Sequence, residues 1–301
     1  MPGLVSRSLH IRVVLPHFFG GESSEETIIG EGFGSRQANS RLQRSIALHR
    51  CISGFLNLSQ SPQDIVLRMQ DGRLIATPHQ VQKNGFSKIS VEIAVATVGN
   101  FVIKEVLDLF SHSISIIKFE LDDPRQLGLA ARDWLVDHSN PADLNIYSED
   151  DLVVHDPLLP EKIIWAAEQS DFTCVLLPHR YEMIGCKHLP SRLFIDGPSN
   201  HEAIFDWHQP SDAFAKGLFR GNESVILDIP SNPHSGFFAV TRTQLKLLSR
   251  TTLPRDGFVG PLETAATYTV GSKFKILKPS LICRSFLVLE HAHPSYLGYL
   301  K

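Results

Sequence analysis

Short apolar runs alternate with longer amphipathic stretches through the first half of the chain. Residues 9–15 are a β-branched run suited to a buried first strand. Residues 64–69, 88–97 and 113–119 carry similar strand signatures. Residues 36–58 read as a helix, with Ser35 where a cap belongs and Leu42, Ile46 and Ile52 on its buried side. A second helix is expected at 101–110. Asp122-Asp123-Pro124 opens a third, since aspartate caps and proline fits a first turn. In that third helix Leu127, Ala130, Ala131, Trp134 and Leu135 form an apolar stripe, which leaves Arg125 and Arg132 on the opposite face.

Leu144, Ile146 and Tyr147 lead into three successive carboxylates, Glu149, Asp150 and Asp151, and Leu152, Val153 and Val154 continue the apolar run. The pattern predicts a buried strand that stops, exposes negative charge and resumes. A helix at 159–169 and a strand at 172–177 follow. Residues 185–234 carry many Pro, Asn and His residues, with strand-like pieces only at 192–195 and 224–227, and read as an insertion. After them come a turn entering a strand (234–240), a helix (241–248), a late helix opened by Gly260-Pro261, and strands at 274–277 and 286–289. Strand–helix alternation of this kind predicts an α/β sandwich with a mostly parallel sheet, in which ligands gather at the carboxyl ends of the strands.

Composition narrows the class. The 301 residues are 43% hydrophobic and 20% charged, as in an ordinary globular protein, and the net charge of −3 argues against a nucleic-acid binder. Cys51, Cys174, Cys186 and Cys283 form no Cys-x-x-Cys pair, so a reducing, cytoplasmic setting is expected rather than a disulfide or zinc scaffold. No signal peptide or transmembrane segment is expected: the run Val13-Val14-Leu15 ends at Pro16, and 91–103 is too short to span a bilayer. Gly30, Gly32 and Gly34 lack the dinucleotide-binding spacing, and their segment, 17–35, reads as a loop beside an active site or a merely disordered one.

Three adjacent carboxylates repel one another and lose hydration near a core. A divalent cation removes both penalties, and Mg²⁺ and Mn²⁺ prefer oxygen ligands while leaving positions for phosphate. A solvated acidic turn is the plainer alternative. The run Ile146-Tyr147-Ser148-Glu149-Asp150-Asp151-Leu152-Val153-Val154, with Asp156-Pro157 after it, resembles the metal-binding acidic motif of GT-A-fold glycosyltransferases. It looks closest to the Glu-Asp-Asp form of N-acetylglucosaminyltransferases.

The resemblance implies a GT-A-like (Rossmann-like) three-layer sandwich with a mostly parallel mixed sheet. It implies one domain over 1–301, with a nucleotide-binding half at 1–151 and an acceptor-binding, catalytic half at 152–301. The implied activity is transfer of a sugar from a UDP- or GDP-sugar to a glycan, lipid or protein acceptor, assisted by Mn²⁺ or Mg²⁺. Asp151 is the expected metal ligand, with Glu149 or Asp150 supporting through water or ribose; strand alternation would set Glu149 beside Asp151 and turn Asp150 away.

Further likenesses lie downstream. Glu263, in the first turn after Gly260-Pro261, resembles the catalytic base of inverting GT-A enzymes, with Asp256 the second candidate. His291-Ala292-His293 would point both rings to one side of a strand, a spacing that suits metal ligation. The position resembles the C-terminal histidine that completes many GT-A metal sites, and His291 is preferred over His293. Arg36, Arg41 and Arg132 are candidates for holding the nucleotide. Two other classes remain open: a metal-dependent nucleotidyltransferase, and a carbohydrate-binding or scaffold protein that keeps the fold without turnover.

Overall fold

The computed structural model describes residues 7–20, 40–78, 85–185, 190–198, 208–293 and 295–296. β1 (Ser8–Pro16) leads to α1 (Ser40–Leu56), a hairpin of β2 (Gln63–Arg68) and β3 (Arg73–Pro78), then β4 (Lys88–Val98), α2 (Lys104–Leu109) and β5 (Ile114–Phe119). A 3-10 turn, Pro124–Gln126, opens onto α3 (Leu127–Val136), followed by β6 (Leu144–Ser148), β7 (Leu152–Val153), α4 (Leu159–Gln169) and β8 (Cys174–Leu176). Next are β9 (His179–Gly185), β10 (Pro190–Phe194), β11 (Ser211–Phe219), β12 (Glu223–Ile229), β13 (Phe237–Thr241) and α5 (Arg242–Leu248). The last elements are α6 (Pro261–Glu263), a π turn (Thr264–Tyr268), α7 (Thr269–Gly271), β14 (Lys275–Pro279) and β15 (Val288–His291).

The central sheet has the order β13-β6-β1-β4-β5. β6, β1, β4 and β5 are parallel, and β13 runs antiparallel to β6. Side chains alternate across it. Ile11, Val13 and Leu15 of β1 pack on one face with Leu48, Ile52 and Phe55 of α1 and Ile163 of α4. Val14 packs on the other face with Leu127 and Leu135 of α3 and Leu245 and Leu248 of α5. Both faces are covered, so the strands carry near-continuous apolar runs. The architecture is the three-layer α/β sandwich, with a mostly parallel mixed sheet, that the alternation predicts. Two smaller mixed sheets, β10-β9-β15-β7 and β11-β12-β14-β8, and the two-stranded β2-β3 ribbon complete the strand set among the described residues.

The chain moves outward from β1 to β4 and β5, then returns to lay β6 on the other side of β1. The strand order therefore reverses beside β1, and the crevice between the carboxyl ends of β1 and β6 is the switch point where such sheets take ligands. Tyr147 and Phe238, facing each other across the β6–β13 pair, stack with centroids 5.5 Å apart. Pairs of this kind contribute about 0.5–1.5 kcal/mol beyond their burial.

Several expectations are corrected. Residues 64–69 do not enter the central sheet: every residue of β2 is exposed, and its only strand partner among the described residues is β3. The run after the carboxylates resumes as β7 in a different sheet, paired with β15. The 185–234 stretch holds the two longer strands β11 and β12, and the strand expected at 286–289 begins later, at Val288, because Phe286 closes a 3-10 turn. Arg132 is buried instead of lying on an outer face, because α3 is enclosed on a second side by the 261–271 segment: a Cβ on Gly128 would stand 2.9 Å from Leu262 Cδ2.

Candidate active site

β6 stops at Ser148 and the chain turns, with the Leu152 N–H donating to the Glu149 carbonyl at 3.4 Å. The Glu149 N–H still donates to the Gly236 carbonyl at 2.9 Å, so the turn is anchored to the chain entering β13. This turn breaks the strand alternation. Asp150 and Asp151 both reach Arg44, and neither faces open water: they are 6% and 8% exposed. The expectation of an exposed knot of charge, with Asp150 turned away from the others, is corrected on both points.

Each carboxylate has its own surroundings. Asp150 Oδ1 accepts from Arg44 Nη2 at 2.6 Å, and Oδ2 meets His17 Nδ1 at 2.5 Å. His17 is fully buried, and its Nε2 accepts the Ile103 N–H at 3.0 Å. That bond leaves the ring proton on Nδ1, so His17 donates to Asp150. Burial alone would raise the Asp150 pKa, but the Arg44 charge and the His17 hydrogen bond outweigh it and hold the carboxyl down at about 2.

Asp151 Oδ2 accepts from Arg44 Nη1 at 2.9 Å and lies 3.7 Å from His291 Nε2. Asp151 Oδ1 is buried with no partner. His291 Nδ1 meets Glu182 Oε1 at 2.9 Å, and Glu182 also accepts the Ser295 and Tyr296 N–H groups. A carboxylate behind one nitrogen fixes the ring and leaves the other nitrogen directed at Asp151. Burial would depress the His291 pKa, but Asp151 and the Glu182 hydrogen bond raise it above the ordinary histidine value. The Ala292 N–H donates to the Asp151 carbonyl at 2.9 Å, tying the end of β15 to the turn.

Glu149 faces the other way. Its side chain fills the space over Gly236, whose φ of +61° and absent Cβ leave room for the carboxylate. Burial, assisted by the charges of Asp151 and Glu263, pushes its pKa up to about 7 against the opposing charges of Arg180, 3.9 Å away, and His291. Arg180 is itself locked to Asp196 through Nε at 3.0 Å and Nη2 at 2.8 Å. Lys278 Nζ stands 3.3 Å from the same Asp196, and its own pKa is lowered by burial to about 8.

The structure thus brings Glu149, Asp150, Asp151 and His291 together. Glu263 borders this group: its charge acts on both Glu149 and Tyr147, and its side chain is partly exposed at the end of the short α6. Asp256 is exposed on the preceding loop. Arg41 is drawn elsewhere, forming a fork to Glu105 of α2 at 3.1 and 2.7 Å and lying 5.4 Å over the Phe19 ring. Arg132 joins α3 to the Pro254 carbonyl at 2.6 Å and to Thr269 Oγ1 at 3.1 Å. Arg36 and the glycine-rich segment at 30–34 lie outside the described residues.

His17 belongs to the group although nothing in the sequence assigned it a role there; Arg44, a helix-surface neighbour of Arg41 that could meet a diphosphate, and His293, the second choice to His291, belong to it as well. The available signal was that His17 directly follows the central strand. The His293 ring is buried with an unpartnered Nε2, and burial and the Arg44 charge lower its pKa while Asp151 opposes them. Among the described residues, three of the six buried side-chain polar atoms without a partner are Arg44 Nε, Asp151 Oδ1 and His293 Nε2. Buried polar atoms are rarely unpaired, and this concentration indicates chemistry still to be satisfied.

Among the described residues, no three His, Cys, Asp or Glu side chains converge to enclose a metal ion by themselves. Mg²⁺ and Mn²⁺, however, are commonly held by one or two carboxylates and completed by phosphate and water. The unspent Asp151 Oδ1 and the carboxylate-anchored His291 fit that arrangement, whereas both oxygens of Asp150 are occupied.

No protein-family model matches this chain, and no curated protein matches it. Among solved structures the chain is similar to the crystal structure of GalNAc-T7 with UDP, GalNAc and Mn²⁺, at 12% identity and a TM-score of 0.43. The match covers 94% of this chain and 44% of that one, so the chain spans less than half the length of its structural neighbour. A likeness this loose assigns no residue and no chemistry.

Proposed function

We propose that this protein is a metal-dependent glycosyltransferase that takes a UDP- or GDP-sugar and transfers the sugar to an acceptor hydroxyl. The supporting observation is the buried carboxylate group at the β1–β6 switch point, where Asp151 keeps an unpartnered oxygen beside the anchored His291. Asp151 and His291 would hold Mn²⁺ or Mg²⁺. Bound there, the ion supplies Lewis-acid stabilisation of the charge developing on the leaving diphosphate. Asp150, fixed by His17 and Arg44, keeps the turn in place. Glu263 is partly exposed next to Glu149 and takes the proton of the acceptor hydroxyl in an inverting reaction. Asp256 is the second candidate for that role, and Arg41 and Arg132, engaged elsewhere, have none in this reading.

The test is calorimetric titration with UDP and GDP, in Mn²⁺ and in EDTA. Binding is expected only with Mn²⁺ and is expected to weaken at least tenfold in Asp151→Asn, since losing even an outer partner of a metal ligand typically costs about 10–100-fold. Equal binding in EDTA overturns the proposal. One observation favours a different reading: Arg44 already neutralises part of the carboxylate charge, as suits a scaffold that binds sugar without turnover. Slow hydrolysis of one nucleotide sugar from a panel separates the two and identifies the donor.

A further inference from the structure

The Arg44 guanidinium forks across two different carboxylates, Nη2 to Asp150 at 2.6 Å and Nη1 to Asp151 at 2.9 Å. Its side chain is only 14% exposed, and its Nε is among the buried atoms without a partner. Guanidinium forks usually meet one carboxylate with two parallel bonds. Here the fork is divided, so neither carboxylate is fully satisfied by it. Asp150 is completed by His17, whereas Asp151 is not completed at all. The Asp151 oxygen that Arg44 holds is the one 3.7 Å from His291 Nε2. One lone-pair region is therefore shared between a resident cation and an imidazole aimed at it.

We infer that Arg44 is an exchangeable internal cation: it neutralises Asp151 when no divalent ion is bound and gives up that contact when one binds. The inference rests on the metal reading proposed above, in which Arg44 only fixes Asp150, and extends it to the Arg44–Asp151 contact. Without a cation, Asp150 and Asp151 would be two buried like charges on adjacent residues, a costly state. Arg44 supplies one positive charge against their two, which lets the turn fold and leaves net negative charge to attract a divalent ion. Entry of the ion at Asp151 opposes the Nη1 bond, because both cations use the same carboxylate and repel each other. Arg44 retains Asp150 through Nη2, and the released Nη1–H is free for an anionic oxygen of a diphosphate.

The exchange has a signature separate from turnover. Mn²⁺ affinity is measured by calorimetry and by the loss of the free-ion EPR signal, in wild type, Arg44→Met and Arg44→Lys. Met keeps much of the buried stem and removes the charge, and Lys keeps the charge but not the fork. Arg44→Met is expected to bind Mn²⁺ on the order of tenfold more tightly than wild type, with Arg44→Lys between them. Thermal unfolding gives an independent readout. Arg44→Met should melt lower than wild type in EDTA and recover most of the loss in Mn²⁺, while wild type should gain less from the ion. If Arg44→Met folds poorly without metal, recovery of folded protein on adding Mn²⁺ supports the exchange, and no recovery overturns it. Mn²⁺ binding to wild type that is equal or weaker in Arg44→Met overturns the exchange alone. Absence of Mn²⁺ binding in all three proteins overturns the metal site and the exchange with it.

Discussion

Glu149 and Asp150 are adjacent in the chain and opposite in acid strength, one raised to about 7 and the other held at about 2. Both are buried, so the difference lies in their partners: Asp150 receives Arg44 and His17 directly, while the nearest Arg180 nitrogen is 3.9 Å from Glu149 and the rest of that guanidinium is committed to Asp196. The two act oppositely on stability. Glu149 holds its proton more tightly in the folded state, so its contribution is most favourable below its ordinary pKa of 4.5 and declines as pH rises toward 7. His291, also raised, acts in the same direction above 6.5. Asp150 stabilises fully above its ordinary 3.8 and loses that contribution as pH falls toward about 2. Histidines with pKa values lowered by burial, His179, His208, His234 and His293, act in the opposite direction, so the Glu149 contribution is read as a difference. In metal-free protein, Glu149→Gln should gain stability relative to wild type in urea unfolding as pH rises from about 4.5 to 7. An unchanged slope in the variant would refute the assignment of Glu149 as the raised carboxyl. The residue types at this site were legible in the sequence, as three carboxylates and a late histidine. Their partnerships were not: Asp150 meets Arg44 and His17 across 106 and 133 residues, beyond any local pattern.

The central strands were legible as elements because burial on both faces favours near-continuous apolar runs, as in β1 and β13. β11 was not, since its residues are mostly exposed and carry no such constraint. Arg132 was misplaced because a seven-residue spacing marks a shared face and does not reveal whether a second layer covers that face. The carboxylate turn shows the same limit. Composition announces the charge, but only the pairing of β6 with β13 fixes where it points. Gly236 makes this testable. Its φ is +61° and a Cβ there would collide with the Glu149 carboxylate, whereas Gly72 has φ +69° and open space around the same position. Alanine at Gly72 should cost only the left-handed backbone penalty, about 1–2 kcal/mol. Alanine at Gly236 should cost that and the displacement of Glu149, giving the larger loss in urea unfolding. Equal losses at the two glycines would mean that Glu149 moves aside freely and is not held over β13.

At the scale of the whole molecule, two apolar clusters lie on the two faces of the central sheet, and neither includes a residue of the β2–β3 hairpin. That hairpin holds Ile65, Leu67, Met69 and Leu74 with half or more of their surface exposed. A two-stranded ribbon of this size has little stability of its own in water. It also leaves and returns at one place, because Gln60 and Ile89 exchange backbone hydrogen bonds at 2.9 Å in both directions. Phe86, by contrast, is buried in the cluster that includes α1, and Gln60 Nε2 donates to its carbonyl, so the functional boundary of the excursion lies before residue 85. Replacing residues 62–84 with a short Gly-Ser linker should therefore leave both clusters and the carboxylate turn intact. Shortening the excursion lowers its closure entropy by about 1 kcal/mol, which offsets the loss of the exposed β2–β3 pairing. The shortened protein is expected to unfold within about 1 kcal/mol of wild type and to leave the proposed Mn²⁺-dependent UDP binding unchanged. A loss several times larger, or loss of binding with the fold retained, would show that the ribbon supports the switch-point crevice after all.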